Sequence, residues 1–588
     1  VISDHEQRYL LSQNMFRQAR AIIDRSGAVE CINGYHQGVG GRERSGIAYS
    51  LNAVLVCALS LIMLGRVPTL KAILNAIGDL SPAQLAEVGM RGQDTGRIFS
   101  TPAEQCRERQ RFIAWLHRRL QPLDSSPDQP AKRIPNAEHR RIIARRSAEQ
   151  QAESLAAAER LRTVVNLLIK GSIVDLQPAG AVGDLVADES IFDLAGPSAG
   201  LGSRPDKNRG ATYFAKYYSR EQKSGPLRDD DYRGGKHGFG IGITTVTGIG
   251  AANALHAVAA VILAADMHEP TSGNIAALEN CIAHMQRNGL DSRPAGSRSW
   301  PRFIVDMGYS TKKAFPRLML DKGYTAIFRY PITTTLTEPS GQTQGPAPRP
   351  VGPIQFAGAF YCPAAEPLLR GHKVPATRDL LATKGFHAHD AKLRSVLPFL
   401  MGTNSRPFFG RSRGRPRLGA LPKHDVKVEL VCPAAQRRVQ CPLKPASMEI
   451  AEFGTPLATP NWRAEDRQCC ATSTVTVTLT GPQFQKAQWG PVPGSWEHTL
   501  QLEAGRALTE QRFSLLKSPH ITGITEMTWG PRREPMVKIL FALAIAATNH
   551  QIQKTHHTRS QREESIDIRW RKLRDHLGHE PARTPPRT

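Results

Sequence analysis

Hydrophobic and polar positions divide this chain into stretches of different period. Residues 1–165 read as helical. Ile47 to Leu64 is almost wholly apolar, as in a buried helix, and Thr69 to Ile77 predicts a second. Ser81-Pro82-Ala83 starts a third, with an N-cap serine and proline in the first turn. The pair across Gly78-Asp79 fits a helix-turn-helix or an ordinary small bundle. From residue 166 the period shortens to two. Gly183 to Phe192 alternates as a strand carrying Asp188, His237 to Val246 reads as a second, and Leu255 to Ala264 as a buried third. A helix over Asn274 to Met285, capped by Thr271 or Ser272, precedes a short strand, Phe303 to Val305, that runs into Asp306. A helix over Ser310 to Leu320 and a strand over Tyr324 to Tyr330 follow. Three strands in a row predict an antiparallel meander, and the later alternation with helices adds parallel strands. The expected class is α/β.

Residues 331–497 are rich in Pro, Gly, Thr and Val, with strand-like runs at His424 to Cys432 and Thr474 to Thr480. They predict a mostly β domain inserted before the helical pattern resumes. Over Glu503 to Lys517, Arg506, Glu510 and Lys517 fall within one narrow arc of a helix, with Ala504, Leu508 and Leu515 opposite. Such a helix buries its apolar stripe and points a carboxylate, flanked by two cations, outward. Ser518-Pro519 ends it. Pro535 to Gln551 predicts an apolar helix that packs on the sheet, and residues 554–588, basic and proline-ended, a flexible tail.

Charge adds a class of partner. The 588 residues carry a net charge of +25 and a pI near 10.0, which favours a polyanion. Basic residues gather in Arg107 to Arg119 and, beyond a Pro/Ser/Asp linker from Pro122 to Pro135, in a second basic helix, Glu138 to Arg162. Arg140, Arg141, Arg145 and Arg146 of that helix are either a solvated face or phosphate contacts. Arg406 to Arg417, with Arg411, Arg413 and Arg415, is a further candidate DNA contact. Aromatics at 6% argue against single-strand binding by stacking as the main activity. No C-x-x-C pair occurs among nine cysteines, which fits a reducing cytosol. Cys362, Cys432, Cys441, Cys469 and Cys470 match no strong zinc spacing and are expected as buried thiols. The first residues lack the order of a signal peptide. Ser50, Asn52 and Ser60 interrupt Ile47 to Leu64, so a buried helix is expected there and no membrane association. The glycine clusters contain no P-loop, and His268, His387 and His389 show no metal spacing and are expected at the surface.

The R-x3-E-x6-K pattern of Arg506, Glu510 and Lys517 resembles the signature around the last acid of DDE transposases from bacterial insertion sequences. The family pattern has a tyrosine three residues before the arginine, where this chain has Glu503. D-x-G-Y at Asp306 to Tyr309 is similar to the family's second motif, and the strand order resembles its ribonuclease-H-like core, often interrupted by a β insertion. The resemblance implies a catalytic triad of Asp188, Asp306 and Glu510 holding Mg²⁺, with Mn²⁺ able to substitute, and phosphate contacts from Arg506 and Lys517. Glu189 faces the other side of its strand, so a one-residue slip would exchange it with Asp188. Asp306 could alternatively cap a helix. The partners implied are double-stranded DNA, at terminal inverted repeats and at the target, and a second copy of the chain in a homodimer. The expected location is the bacterial cytoplasm, with the nucleoid. The alternative is a catalytically inactive, transposase-derived DNA-binding protein.

Overall fold

The computed structural model describes residues 11–36, 47–194, 209–220, 236–294, 300–331, 348–410, 426–449, 454–524, 530–558 and 565–586, with positions 334, 336, 337 and 527; positions 131, 133, 211, 480 and 488 are excepted. It is a mixed α/β protein: N-terminal helices, a mixed sheet with parallel strands, and C-terminal helices.

The N-terminal helices are α1 (Gln13–Ser26), α2 (Leu51–Met63), α3 (Leu70–Gly78), α4 (Pro82–Glu87), α5 (Pro102–Leu120), α6 (Asn136–Ala144) and α7 (Ala148–Gly171), with a short helix Ala28–Gly34 after α1. Every residue of α2 from Ala53 to Ile62 is buried, because helices surround it on all sides. No helix of the described residues is long and apolar enough to cross a membrane. Thr69 and Ser81 cap α3 and α4, the latter in a full capping box with Gln84. The single basic helix expected over 138–162 is two helices. Ser147 and Gln150 form a capping box that starts α7 afresh after Arg145.

The sheet is built from β1 (Ala181–Asp193), β2 (Lys216–Arg220), β3 (Lys236–Gly250), β4 (Ile262–His268), β5 (Arg302–Ile304) and β6 (Thr325–Ile327). Central β1 is antiparallel to β3 and parallel to β5, and β5 is parallel to β6. Successive parts of the far edge of β3 pair with β2 and β4, both antiparallel. The third strand lies later than expected: residues 251–261 turn, and pairing begins at Ile262. Helix α8 (Asn274–Arg287) is entered through Gly273 at φ 76°, so neither Thr271 nor Ser272 is its N-cap. The helix expected over 310–320 is likewise broken. Asp306 caps a single turn, Met307–Ser310, and Pro316 starts α9 (Phe315–Lys322).

The described residues of 331–497 are less uniformly β than their composition suggests. Strands β7 (Ile354–Phe356) and β8 (Ala359–Tyr361) form a hairpin, whose side chains share a core with helix α10 (Phe386–Val396), and β9 (Val426–Val431) pairs antiparallel with β10 (Thr474–Thr478). The expectation of a mostly β insertion is corrected, because α10 buries Leu393 and Val396 on one helical face.

Three helices complete the chain: α11 (Trp496–Leu516), α12 (Glu534–Thr558) and α13 (Ser565–Leu577). Helix α12 runs through the core and is buried continuously from Glu534 to Asn549 apart from Lys538. It also closes an edge of the sheet. Asn549 donates to and accepts from the backbone of Ile262, both at 2.8 Å, and Asn166 of α7 does the same for Ala265 at 3.0 Å. The buried amides satisfy strand groups that no further strand pairs. The expected flexible tail is corrected too. Helix α13 buries Leu573 and Leu577, and Ala582 beyond it donates its N–H to Asp390 Oδ1 at 2.7 Å.

Candidate active site at the ends of two parallel strands

Asp188 and Asp306 come from strands that hydrogen-bond to each other. Leu185 and Val186 of β1 pair with Phe303 and Ile304 of β5 in parallel register. Each aspartate lies two residues past the Val186–Ile304 pair, so both stand at the same level and on the same face, beyond the carboxyl end of β5. In open α/β sheets this is where ligands collect. Asp188 Oδ1 accepts the Glu189 N–H at 2.8 Å, and Asp306 Oδ1 accepts the Gly308 N–H at 2.7 Å. The N-cap role foreseen for Asp306 is real, and it fixes the side chain at the strand end.

Helix α11 lies over the same face. Leu502, Ala504 and Leu508 pack with Val186, Ile304 and Ile327 in one cluster. Gly505 permits the approach: a Cβ there would meet Ile304 Cδ1 at 2.4 Å. On the next turns Arg506 Nη2 lies 3.2 Å from Glu510 Oε1, with the glutamate side chain 64% exposed. Glu503 faces another way, 3.8 Å from Arg569 of α13.

The charges of this site act on one another. Asp188 is pushed up to about 7, first by burial and then by the neighbouring Asp306; Arg506 pulls it down and Glu510 raises it again. The three acids and Arg506 therefore share one electrostatic environment. Glu189 belongs to the opposite face of β1, where its carboxylate lies beside Gly242 and His268 and accepts the Thr271 N–H at 3.4 Å. That placement favours Asp188 over Glu189 as the partner of Asp306. Among the described residues no three His, Cys, Asp or Glu side chains are close enough to ligate a single ion. The acids face one another without closing into a ligand cage.

Other expected contacts are distributed differently. Lys517 turns inward, donating to the Ile191 carbonyl at 3.1 Å with its ammonium 4.7 Å from the Phe192 ring centroid, so it braces the end of β1. Arg140, Arg141 and Arg145 are exposed, Arg141 pairing with Glu138 at 3.0 Å. Arg146 is not: its side chain is 8% exposed and grips Asp128 through Nε at 2.9 Å and Nη2 at 2.7 Å. Its role as a phosphate contact is corrected to a structural one. Arg411, Arg413 and Arg415 lie outside the described residues. His389 is buried and bonded to the Gly494 carbonyl at 2.9 Å, not the surface residue expected; His268 is half-buried, with Nε2 2.8 Å from the Thr244 hydroxyl, and His387 is exposed. Gly505 and Asn549 escaped notice in the sequence, although a glycine inside an otherwise helical stretch is a signal of close approach.

Comparison with protein-family models, curated proteins and solved structures gives no match, so the functional reading rests on the site itself.

Proposed function

We propose that this chain is a DNA transposase of the DDE type, with a ribonuclease-H-like core, that binds element ends and catalyses metal-dependent cleavage and strand transfer. The observation that carries the reading is the equal placement of Asp188 and Asp306 on adjacent parallel strands, with Glu510 and Arg506 brought over them by α11. The donor set fits the implied ion: three carboxylates offer the oxygen ligands that Mg²⁺ or Mn²⁺ takes, and the raised Asp188 lacks enough positive charge of its own. Asp188 and Asp306 would hold one side of the metal site and Glu510 the other. Bound divalent ions would activate a water or a 3′-hydroxyl and stabilise the leaving oxygen of a phosphodiester.

The chain's own groups supply the rest. Arg506 is half-exposed and already paired to a carboxylate, so an incoming phosphate competes for it directly. When the arginine turns to phosphate, Glu510 loses its partner and is free to approach the two aspartates. Glu510 at 64% exposure has the freedom for that movement. Arg140, Arg141 and Arg145 add exposed positive charge on the N-terminal side. The partners proposed are the terminal inverted repeats, target DNA and a second copy of the chain.

One observation favours the binding-only alternative: the acids as placed do not form a ligand set. A plasmid carrying the sequences that flank this reading frame decides between them. The transposase reading expects nicks at the element ends with Mg²⁺ and none with EDTA. The alternative expects retention of that DNA without cleavage under either condition.

A further inference from the structure

Five cysteines that are scattered in sequence come together in space. Cys362 follows β8, Cys432 follows β9, Cys441 lies on the next loop, and Cys469 and Cys470 sit in the short helix Gln468–Ala471. All five are free and line one cavity of ≈ 10 Å³. That is about the room one water needs. The residues around it offer sulfur, hydrocarbon and the Lys444 amine, and no carboxylate or imidazole. A hard cation finds nothing there, whereas a thiophilic one does.

Buried thiols often serve as small hydrophobes. Here one of them has a donor aimed at it. Trp462 Nε1 donates to Cys470 Sγ at 3.4 Å. The Cys469 thiol and that indole draw the Cys470 thiol down, as the outer shell of a metal site does, whereas burial pushes Cys362 and Cys441 up. Cys469 Sγ lies 3.9 Å from Cys470 Sγ and is packed against Gly352, where a Cβ would meet it at 2.3 Å; of this adjacent pair Cys470 carries the indole donor, so it is taken as the fourth ligand.

We propose that Cys362, Cys432, Cys441 and Cys470 form a tetrathiolate site for one structural Zn²⁺. The sulfurs ring the cavity and no three of them meet at a point, so binding draws them inward by side-chain rotation to about 2.3 Å from the ion. Each thiol gives its proton to solvent. Four thiolates around Zn²⁺ leave a net charge of −2 (2 − 4), which Lys444 and Arg467, both near Cys470, offset. The ion would tie together three separate segments of residues 331–497 where Cys362 bridges two hydrophobic clusters. This proposal is independent of the catalytic reading.

The test uses the full chain purified without chelator. About one zinc per chain is expected by elemental analysis, and cobalt added to the stripped chain should give the intense visible bands of tetrahedral thiolate coordination. C432S and C441S should lose the metal, while C469S keeps it. Should a serine variant fail to fold, the wild-type cobalt spectrum still decides. A folded wild-type chain that takes up neither metal overturns the site, and equal loss in C469S overturns the ligand assignment.

Discussion

Asp188 and Asp306 occupy equivalent positions on neighbouring parallel strands, each two residues beyond the paired Val186 and Ile304. Two carboxylates held at one level repel each other, and burial adds to the cost of charging Asp188. Sites that must bind a cation commonly carry such a cost in stability.

The pH dependence follows from that cost. Asp188 titrates at about 7 in the folded chain against an ordinary value of 3.8. The native state therefore binds the proton more tightly than the unfolded chain. Its stabilising contribution is full below pH 3.8 and is lost as pH rises through 7. Asp188→Asn should raise stability at pH 8 by about 1–3 kcal/mol and change it little at pH 4. Urea melts at both values check this, and equal effects at the two would contradict it.

Divalent metal should reverse the same penalty. Bound Mg²⁺ competes with the proton on Asp188, so its stabilisation of the wild type should be larger at pH 8 than at pH 6. Asp188→Asn should lose most of that increment. Thermal melts with Mg²⁺ or EDTA measure both, and an identical Mg²⁺ effect in the variant would remove Asp188 from the site.

Gly505 sets how closely α11 approaches the strand ends. Gly505→Ala would drive a methyl into Ile304, buried on the facing strand. A loss of about 1–3 kcal/mol is expected, together with a fall in cleavage as Glu510 moves outward. Ile304→Val removes the Cδ1 atom that clashes, so the double variant should be more stable than additivity allows. Strict additivity in denaturant melts would show that the contact does not matter.

Two carboxylates hold the C-terminal segment: Glu497 accepts from Thr584 N at 3.1 Å and from its hydroxyl at 3.2 Å, and Asp390 holds the chain just before it. Asp390 Oδ1 accepts from Trp496 Nε1 at 2.8 Å and Ala582 N at 2.7 Å, and Oδ2 lies 2.8 Å from Arg394 Nε. Asp390→Ala leaves two buried donors unmet and should cost about 2–4 kcal/mol. Limited proteolysis should then cut within 565–586 faster than in the wild type. An unchanged cleavage pattern would mean that the Asp390 contacts do not hold the segment.

Particular residues show how far the sequence was legible. Alternation along Gly183 to Phe192 and the apolar run into Asp306 located both acids, because side-chain period alone fixes which positions share a face. The facing order of Arg506 and Glu510 was equally readable from helical spacing. Lys517 was not. It is the residue that ends α11, where helical spacing no longer governs direction, and the Ile191 carbonyl captures it. Arg146 looked like one of four equivalent arginines until Asp128, 18 positions away, proved to hold it. The tail composition suggested disorder, yet Leu573, Leu577 and Trp570 find an apolar surface that only the folded chain provides. The five cysteines lacked a spacing signal because three chain segments contribute them.

Asp188, Asp306 and Glu510 are proposed to form one catalytic centre. The most direct measurement is Mg²⁺-dependent cleavage of DNA containing the flanking element ends by the wild type, Asp188→Asn, Asp306→Asn and Glu510→Gln, with DNA retention measured alongside. These near-isosteric changes remove charge while keeping shape. The wild type should cut, each variant should still bind, and each should lose cleavage by at least about a hundredfold. Cleavage by Glu510→Gln at the wild-type rate, or four proteins that bind equally and never cut, would contradict this proposal.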